Sequence, residues 1–539
     1  MNPGLPLRPA QWPASDDVCW LAHLSRASLA RAARLAGLCL ALGLFAPGCG
    51  PTPTTETALP AETTWDACYV HGEKVGYIET TIQKIGEGIR QQLQIETHSQ
   101  IDIRRFGDPN QMDIRTTSVE TPAGEVRQFT VTTKMGGEPI TIRGEVAGHE
   151  LQVETQQAGK TETNSIPWQT ETKGFQGIEQ SLERQPMQPG DIRRLALLVP
   201  LSNQVMVAQV ELEAKHRETT RLLDGSQDLL RIDCQLTPAG IKGKGIQTVL
   251  WTDERGRTIK TFVPGIEQEG FRTTREQALE PSKPRGLDLE TDMIVKVARA
   301  MPPPAQTRRV RYRVTIDDDD PAQLFPETSN QQVTKTGPNT AEIVVTAPHY
   351  DDAAAAHGTN RAGAVEKDAP PTADDLSSNG MLQSDDPKIV AMAREARAGA
   401  REPLAVARAL ELYVHRKVSS KNFSQVFATA LEVAQSCEGD CTEHAVLLAA
   451  LARACQLPAR VVVGLVYVPS KQGFGYHMWS EVFDGHRWLP LDATLGQGGI
   501  GASHLELGDS NLKDAAALTG LISIVQVLGK LKIEVLEVE

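Results

Sequence analysis

Between Trp65 and Phe262 apolar and polar residues alternate with a period of two. Phe129/Val131, Ile140/Ile142 and Leu151/Val153 each flank a polar residue, and Gly136-Gly137 and Gly148-His149 separate the runs. Such alternation gives a pleated strand one apolar face, and the glycines supply turns, so the pattern predicts antiparallel strands. Tyr77–Ile82, Leu93–Thr97, Gln247–Thr252 and Thr258–Val263 read the same way, the last two joined by a Glu254-Arg255-Gly256 turn. The expectation over 65–285 is a β-rich domain, a curved antiparallel sheet or open barrel, serving as scaffold, spacer or recognition surface. A short helix is expected around Asp292–Arg299, ending before Pro302-Pro303-Pro304. A small β unit over 286–350 follows, in which Val310, Tyr312, Val314 and Ile316 alternate and Glu342–Thr346 returns. Residues 351–385 contain AAAA, DAPP and DDLSSNG, a turn-rich composition that predicts a flexible linker. After Pro387 the period lengthens to 3.6. Ile389–Ala398 and Pro403–Lys417 read as helices, the second with Val406, Ala409, Leu410, Tyr413 and Val414 on its apolar face, and they open an α+β domain over 386–539.

At 539 residues the chain is too long for one compact domain, and 40% hydrophobic with 23% charged residues excludes wholesale disorder. The net charge of −13 would repel a phosphate backbone, so nucleic acid is not an expected partner. Eight cysteines with no Cys-x-x-Cys pair are too few for a disulfide scaffold and give no zinc ribbon. Cys68 and Cys234 are either a disulfide or two buried thiols. Arg26, Arg31 and Arg34 precede an 11-residue apolar run, Leu35–Phe45, that ends in Ala46-Pro47-Gly48-Cys49. That run is too short to cross a hydrocarbon core of about 30 Å. Residues 1–49 therefore read as an export signal. Gly48-Cys49 resembles a bacterial lipobox, which would make Cys49 the lipid-modified residue and the membrane a partner; an ordinary cleaved signal is the alternative. The Pro/Thr-rich segment 50–64 reads as a tether. The expected location is the cell envelope, in the periplasm or on the cell surface.

The chemistry is expected in the C-terminal domain. Gly439-Asp440-Cys441-Thr442-Glu443-His444 precedes an apolar run ending before Pro458, so Cys441 stands at a helix start. Asp440 as N-cap and Glu443 three residues on form a capping-box pattern. The partial positive charge there favours the thiolate, the nucleophilic form. Downstream, Phe474–Phe483 and His486–Asp492 flank Asp484-Gly485, a two-residue hairpin signal. With that loop Phe483 faces His486 and His477 lies opposite Asp492, within reach of a carboxylate–imidazole pair. Pro490 implies an unpaired position in the second strand.

Gly-Asp-Cys at a helix start, the strand ARVVVGLVYV (459–468), His477-Met-Trp-Ser-Glu-Val and Trp488-Leu-Pro-Leu-Asp492-Ala-Thr together resemble the transglutaminase-like superfamily of papain-like thiol enzymes. The resemblance covers roughly residues 386–510. It implies a Cys441 nucleophile, a His477 base and acid, an orienting Asp492, and a Trp479 lining the site. The family often has Asp-Pro-Thr where this chain has Asp492-Ala493-Thr494, a change that keeps the carboxylate. Papain-like enzymes carry an oxyanion glutamine six residues before the cysteine, where Gln435 stands, beside a surface role for that side chain. The Cys441 backbone N–H is a second oxyanion donor.

His444 is a rival base without a carboxylate partner other than Glu443. Cys437, Cys441, His444 and His477 make a Cys-x3-Cys-x2-His spacing that is atypical for structural zinc, so no metal and no cofactor are expected. Cys437 and Cys455 read as buried or incidental thiols, and a Cys437–Cys441 disulfide would switch the site off. Asp317–Asp320 lacks the spaced pattern of an EF-hand and reads as a solvated loop. The expected function is acyl transfer on a peptide or carboxamide through a Cys-His-Asp triad, with hydrolysis favoured over crosslinking. The competing expectation is a non-catalytic envelope binding or assembly protein that keeps the papain-like domain as scaffold.

Overall fold

The computed structural model describes residues 61–105, 108–135, 138–157, 159–200, 204–238, 245–281, 294–350, 368–419, 428–513, 527 and 529–539. The export signal and Cys49 lie outside the described residues. Among the described residues no helix is long and apolar enough to cross a membrane.

The period-two region forms an antiparallel sheet of fourteen strands between Glu62 and Thr273. Its first strand, Glu62–Val70, lies in the middle, paired with Glu73–Ile85 on one side and with Gln268–Thr273 on the other. Two meanders therefore fan outward, ending in the edge strands Lys160–Pro167 and Ile192–Pro200. A twisted sheet of this width curls. Val126, Phe129, Val131, Ile142, Leu151 and Val153 of one wing share a core with Leu198 and Val205 of the other. Glu62, Thr63 and Thr64, read above as tether, belong to the first strand, because their backbones pair with Ile82, Thr81 and Thr80. Cys68 and Cys234 are unbridged thiols in separate apolar clusters, and burial pushes each up to about 12.

The small β unit does not close on itself. Arg309–Ile316 pairs with Thr340–Thr346 on one side and, on the other, with the C-terminal strand Leu531–Val538. Val310, Tyr312, Val314 and Ile316 then share one core with Leu465, Phe474 and Leu505 of the neighbouring sheet. The helix expected over Asp292–Arg299 is absent from its described residues 294–299. Val295–Lys296 is instead a strand pairing with Phe474 and Gly473, since Val295 and Val297 alternate beside an open sheet edge. In the acidic run, Asp320 accepts from Ala322 N as the cap of a short helix and pairs with Lys335, while Asp317 pairs with Lys532.

The linker expected over 351–385 is packed structure from 368 onward, and the rest lies outside the described residues. Asn379 Oδ1 accepts from the N–H groups of Met381 and Leu382, whose side chains are buried in the core of the α+β domain. Lys160 pairs with Asp385 and Glu162 accepts from Gly380 N, so this segment joins the large sheet to that domain.

In that domain the helices Pro387–Arg397, Pro403–Lys417 and Ala430–Ser436 surround a fourth, Cys441–Ala454, in which every residue from Thr442 to Arg453 is buried. The sheet behind it runs Val295–Lys296, Gly473–Phe483, Ala459–Val468, His504–Ser510, with Trp488–Leu491 paired to Gly473–Phe483. Ser480 Oγ donates to Ala445 O at 2.8 Å and ties the first turns of the buried helix to the strand that carries His477.

Truncation after Lys530 removes the strand that covers Tyr312 and Val314, along with the buried Ile533 and Val535. At about 1.5–3 kcal/mol per buried aliphatic side chain, the shortened chain is expected to melt well below the full one or to be insoluble. Calorimetry checks this, and an unchanged melting temperature would contradict the shared core.

Candidate active site

The helix start at Cys441 is built by three residues. Asp440 Oδ1 accepts from Thr442 N at 2.8 Å, the Asp440 side chain also takes the Glu443 N–H, and Glu443 Oε2 accepts from Asp440 N at 2.9 Å. His444 N is taken by Asp440 O. Of the first-turn donors only the Cys441 N–H has no acceptor among the described residues. Gly439 makes the reciprocal cap possible, because it has φ +149° and a Cβ there would lie 2.3 Å from Glu443 Cβ. The thiol is partly buried and acts on the His477 side chain, whose imidazole it helps to raise.

His477 Nε2 donates to Asp492 Oδ2 at 2.7 Å, which leaves Nδ1 for the thiol. The hairpin register differs from the expected one by two residues. Phe483 pairs with Trp488 and Ser480 with Leu491, so the loop is the four residues Asp484–Arg487. The cause is Asp484, whose Oδ1 accepts from both His486 N and Arg487 N at 2.8 Å and closes a longer turn. A slip of two keeps side chains on the same face. Asp492 thus stands just past the strand end, on the His477 side, and Pro490 falls on an edge strand opposite Glu481. There Asp492 Oδ1 accepts from Thr494 N at 2.9 Å and Leu495 N at 3.1 Å.

Sequence reasoning missed three residues around this pair. His504, wholly buried, places Nε2 3.2 Å from Asp492 Oδ2 and Nδ1 3.2 Å from Gly501 O. Glu411, also buried, accepts from Gly499 N at 3.0 Å, and His415 of the same helix sits 3.0 Å from Ala493 O. Helix Pro403–Lys417 therefore braces the loop that follows Asp492. Trp479 lies against both imidazoles, its ring stacked at 6.3 Å from His477 and edge-on at 5.3 Å from His504. Gly464 makes room for that ring, since a Cβ there would lie 2.6 Å from Trp479 and 2.1 Å from Leu505 O.

Burial opposes charge on His477, but the Asp492 carboxylate and the Cys441 thiol outweigh it and lift the imidazole to about 10. Burial likewise pushes Asp492 up, yet His477 and His504 overcome it and hold the carboxyl well below the usual range. His504 is lowered, first by burial and then by the charge on His477 opposing the pull of Asp492. The site at neutral pH thus holds a carboxylate, an imidazolium and a neutral imidazole.

The remaining candidates stand apart. Gln435 is exposed on its helix. His444 Nδ1 donates to Asp440 O at 2.5 Å, which ties that ring nitrogen to its own helix cap. Cys437 Sγ lies 3.9 Å from Ala434 O and Cys455 Sγ 3.8 Å from Ala393 O, and both are free thiols. Among the described residues Cys437, Cys441, His444 and His477 are not gathered as ligands; the one set of suitable type is His477, Asp492 and His504. Their spacing suits protons rather than an ion: ligands about 2.1 Å from zinc in a tetrahedron lie roughly 3.4 Å apart, wider than 2.7 Å.

Glu411 gives a pH-dependent expectation. Burial, with the Asp492 charge, pushes its carboxyl from 4.5 to about 8 against the pull of Gly499 N. The folded state binds the proton more tightly, so this contribution to stability is full below the unfolded value and is lost as pH rises through about 8. Glu411→Gln is expected to raise stability by about 2 kcal/mol or more at roughly pH 9 and by much less near pH 5. Thermal melts at both values check it. At the cap, Gly439→Ala is expected to cost about 1–3 kcal/mol through strain and the lost Glu443 contact, measured by denaturant unfolding.

The family model described as Transglutaminase-like superfamily matches residues 390–493. No curated protein matches the chain. Among solved structures, a Cytophaga hutchinsonii protein described provisionally as a cysteine protease is 14% identical, with 43% of this chain and 86% of that one covered and a TM-score of 0.25. A beta-barrel-like protein of a domain of unknown function from Brucella abortus is 10% identical, with 39% and 96% covered and a TM-score of 0.27. Both are distant likenesses. Residues 390–493, which carry Cys441, His477 and Asp492, are a transglutaminase-like domain.

Proposed function

We propose that the chain is an exported, lipid-anchored thiol enzyme that transfers acyl groups from peptide or carboxamide bonds. The export and anchoring rest on Leu35–Phe45 and Gly48-Cys49. The chemistry rests on one observation: a thiol at a helix start beside an imidazole that is paired at 2.7 Å with a buried carboxylate. Cys441 thiolate attacks the carbonyl carbon and the C–S bond forms. The oxyanion meets the Cys441 N–H, the first-turn donor left open by the Asp440 cap. His477 Nδ1–H then protonates the leaving amine as the C–N bond breaks, giving a thioester. Water resolves it to an acid, or an amine resolves it to a new amide, with His477 taking the proton in either case. Hydrolysis is the favoured outcome for an exported chain of this family.

Per-residue mass spectrometry of the intact chain after iodoacetamide treatment at about pH 6 is the test. Cys441 is expected to label about tenfold or more faster than Cys437 and Cys455, and to lose that advantage in His477→Ala. Equal labelling of the three thiols, unchanged by the substitution, would overturn the proposal.

A further inference from the structure

The strand His504–Ser510 reaches the site from the far side of Ala459–Val468. Gly464 of the central strand pairs with His477, and Val466, two residues on, pairs with His504, so both imidazoles stand on one face of the sheet. They converge on one oxygen: Asp492 Oδ2 is 2.7 Å from His477 Nε2 and 3.2 Å from His504 Nε2, with the rings 6.1 Å apart. The titratable groups acting here are Asp492, His477 with Cys441 beyond it, and Glu411 of helix Pro403–Lys417, which feels the Asp492 charge.

A neutral imidazole has one N–H, and His504 faces two oxygens, Asp492 Oδ2 and Gly501 O. The anionic oxygen is the stronger acceptor, so the proton belongs on Nε2 and is donated to Asp492. That donation does two things. It fixes the carboxylate on the side opposite the Thr494 and Leu495 N–H groups, and it takes up part of the charge that His477 meets. A general acid held too strongly by its partner carboxylate would give its proton up poorly to the leaving amine.

We propose that His504 is a positioning residue of the acyl-transfer site, which orients Asp492 and tempers the hold of that carboxylate on the His477 proton; the role rests on the thiol-enzyme reading above. It is separate from the matched family segment, which ends at residue 493.

The test is the pH profile of Cys441 alkylation by iodoacetate in the full chain, read per cysteine by mass spectrometry. Iodoacetate is an anion, so its reaction with the thiolate falls off as His477 loses its proton. His504→Phe removes the donor, and the falling limb is expected to move up by about half to one pH unit. His504→Gln, whose amide can still donate to Asp492, is expected to keep the wild-type limb. His504→Leu repeats the deletion with a smaller side chain if the phenylalanine does not pack. A limb unchanged in both deletion variants, or moved equally in His504→Gln, would overturn the role of His504. A wild-type profile with no falling limb would instead overturn the thiol-enzyme reading, and the role of His504 with it.

Discussion

A carboxylate removed wholly from water costs several kcal/mol unless its charge is met in place. Asp492 is removed wholly, with no exposed surface, and it is met four times: by two backbone N–H groups at Oδ1 and by two imidazoles at Oδ2. Those donors come from three segments, the strand Gly473–Phe483, the turn after Asp492 and the strand His504–Ser510. Meeting one charge thus fixes their relative positions. The same interaction sets the chemistry, because an ionised Asp492 raises His477, the imidazole beside Cys441 at the helix start.

The rest of the fold keeps that arrangement dry and still. The buried Cys441 helix packs on one side of the sheet, with Ser480 Oγ donating to Ala445 O. The four-stranded sheet that includes the C-terminal strand shares a core with Leu465, Phe474 and Leu505. Trp479 covers both histidines, which Gly464 allows. Glu411 sits in this frame at a cost: its buried carboxyl is held near about 8 while it fixes the loop N–H of Gly499. The large curled sheet meets the domain through Lys160, Glu162 and the segment around Gly380.

Much of this was legible where the determinants are local. The Asp440–Glu443 cap is encoded within four residues, and the apolar stripe of Pro403–Lys417 within a single helix. Strands of the large sheet follow from alternation, and their inward residues, Phe129, Val131, Ile142 and Leu151, are buried as the period requires. The hairpin register was readable only to its parity, because a side chain, Asp484, and not the Asp-Gly pair sets the loop length. What lay beyond reading is long-range. His504 reaches Asp492 only through pairing with Val466, and Leu531–Val538 finds Arg309–Ile316 from more than two hundred residues away. The alternation of Val295 and Val297 spans too few residues to be told from a helical turn, and only the pairing of Val295–Lys296 with Phe474 and Gly473 decides it.

The central claim is that Asp492 and His477 form a buried ion pair at neutral pH beside Cys441. The most direct measurement is the imidazole chemical shift of His477 in the full chain, followed by NMR against pH and assigned by its loss in His477→Gln. The expected result is an imidazole that keeps its proton past neutral pH and gives it up only at about 10, because Asp492 and Cys441 outweigh burial. Loss of the proton near the ordinary imidazole value of about 6.5 would contradict the claim.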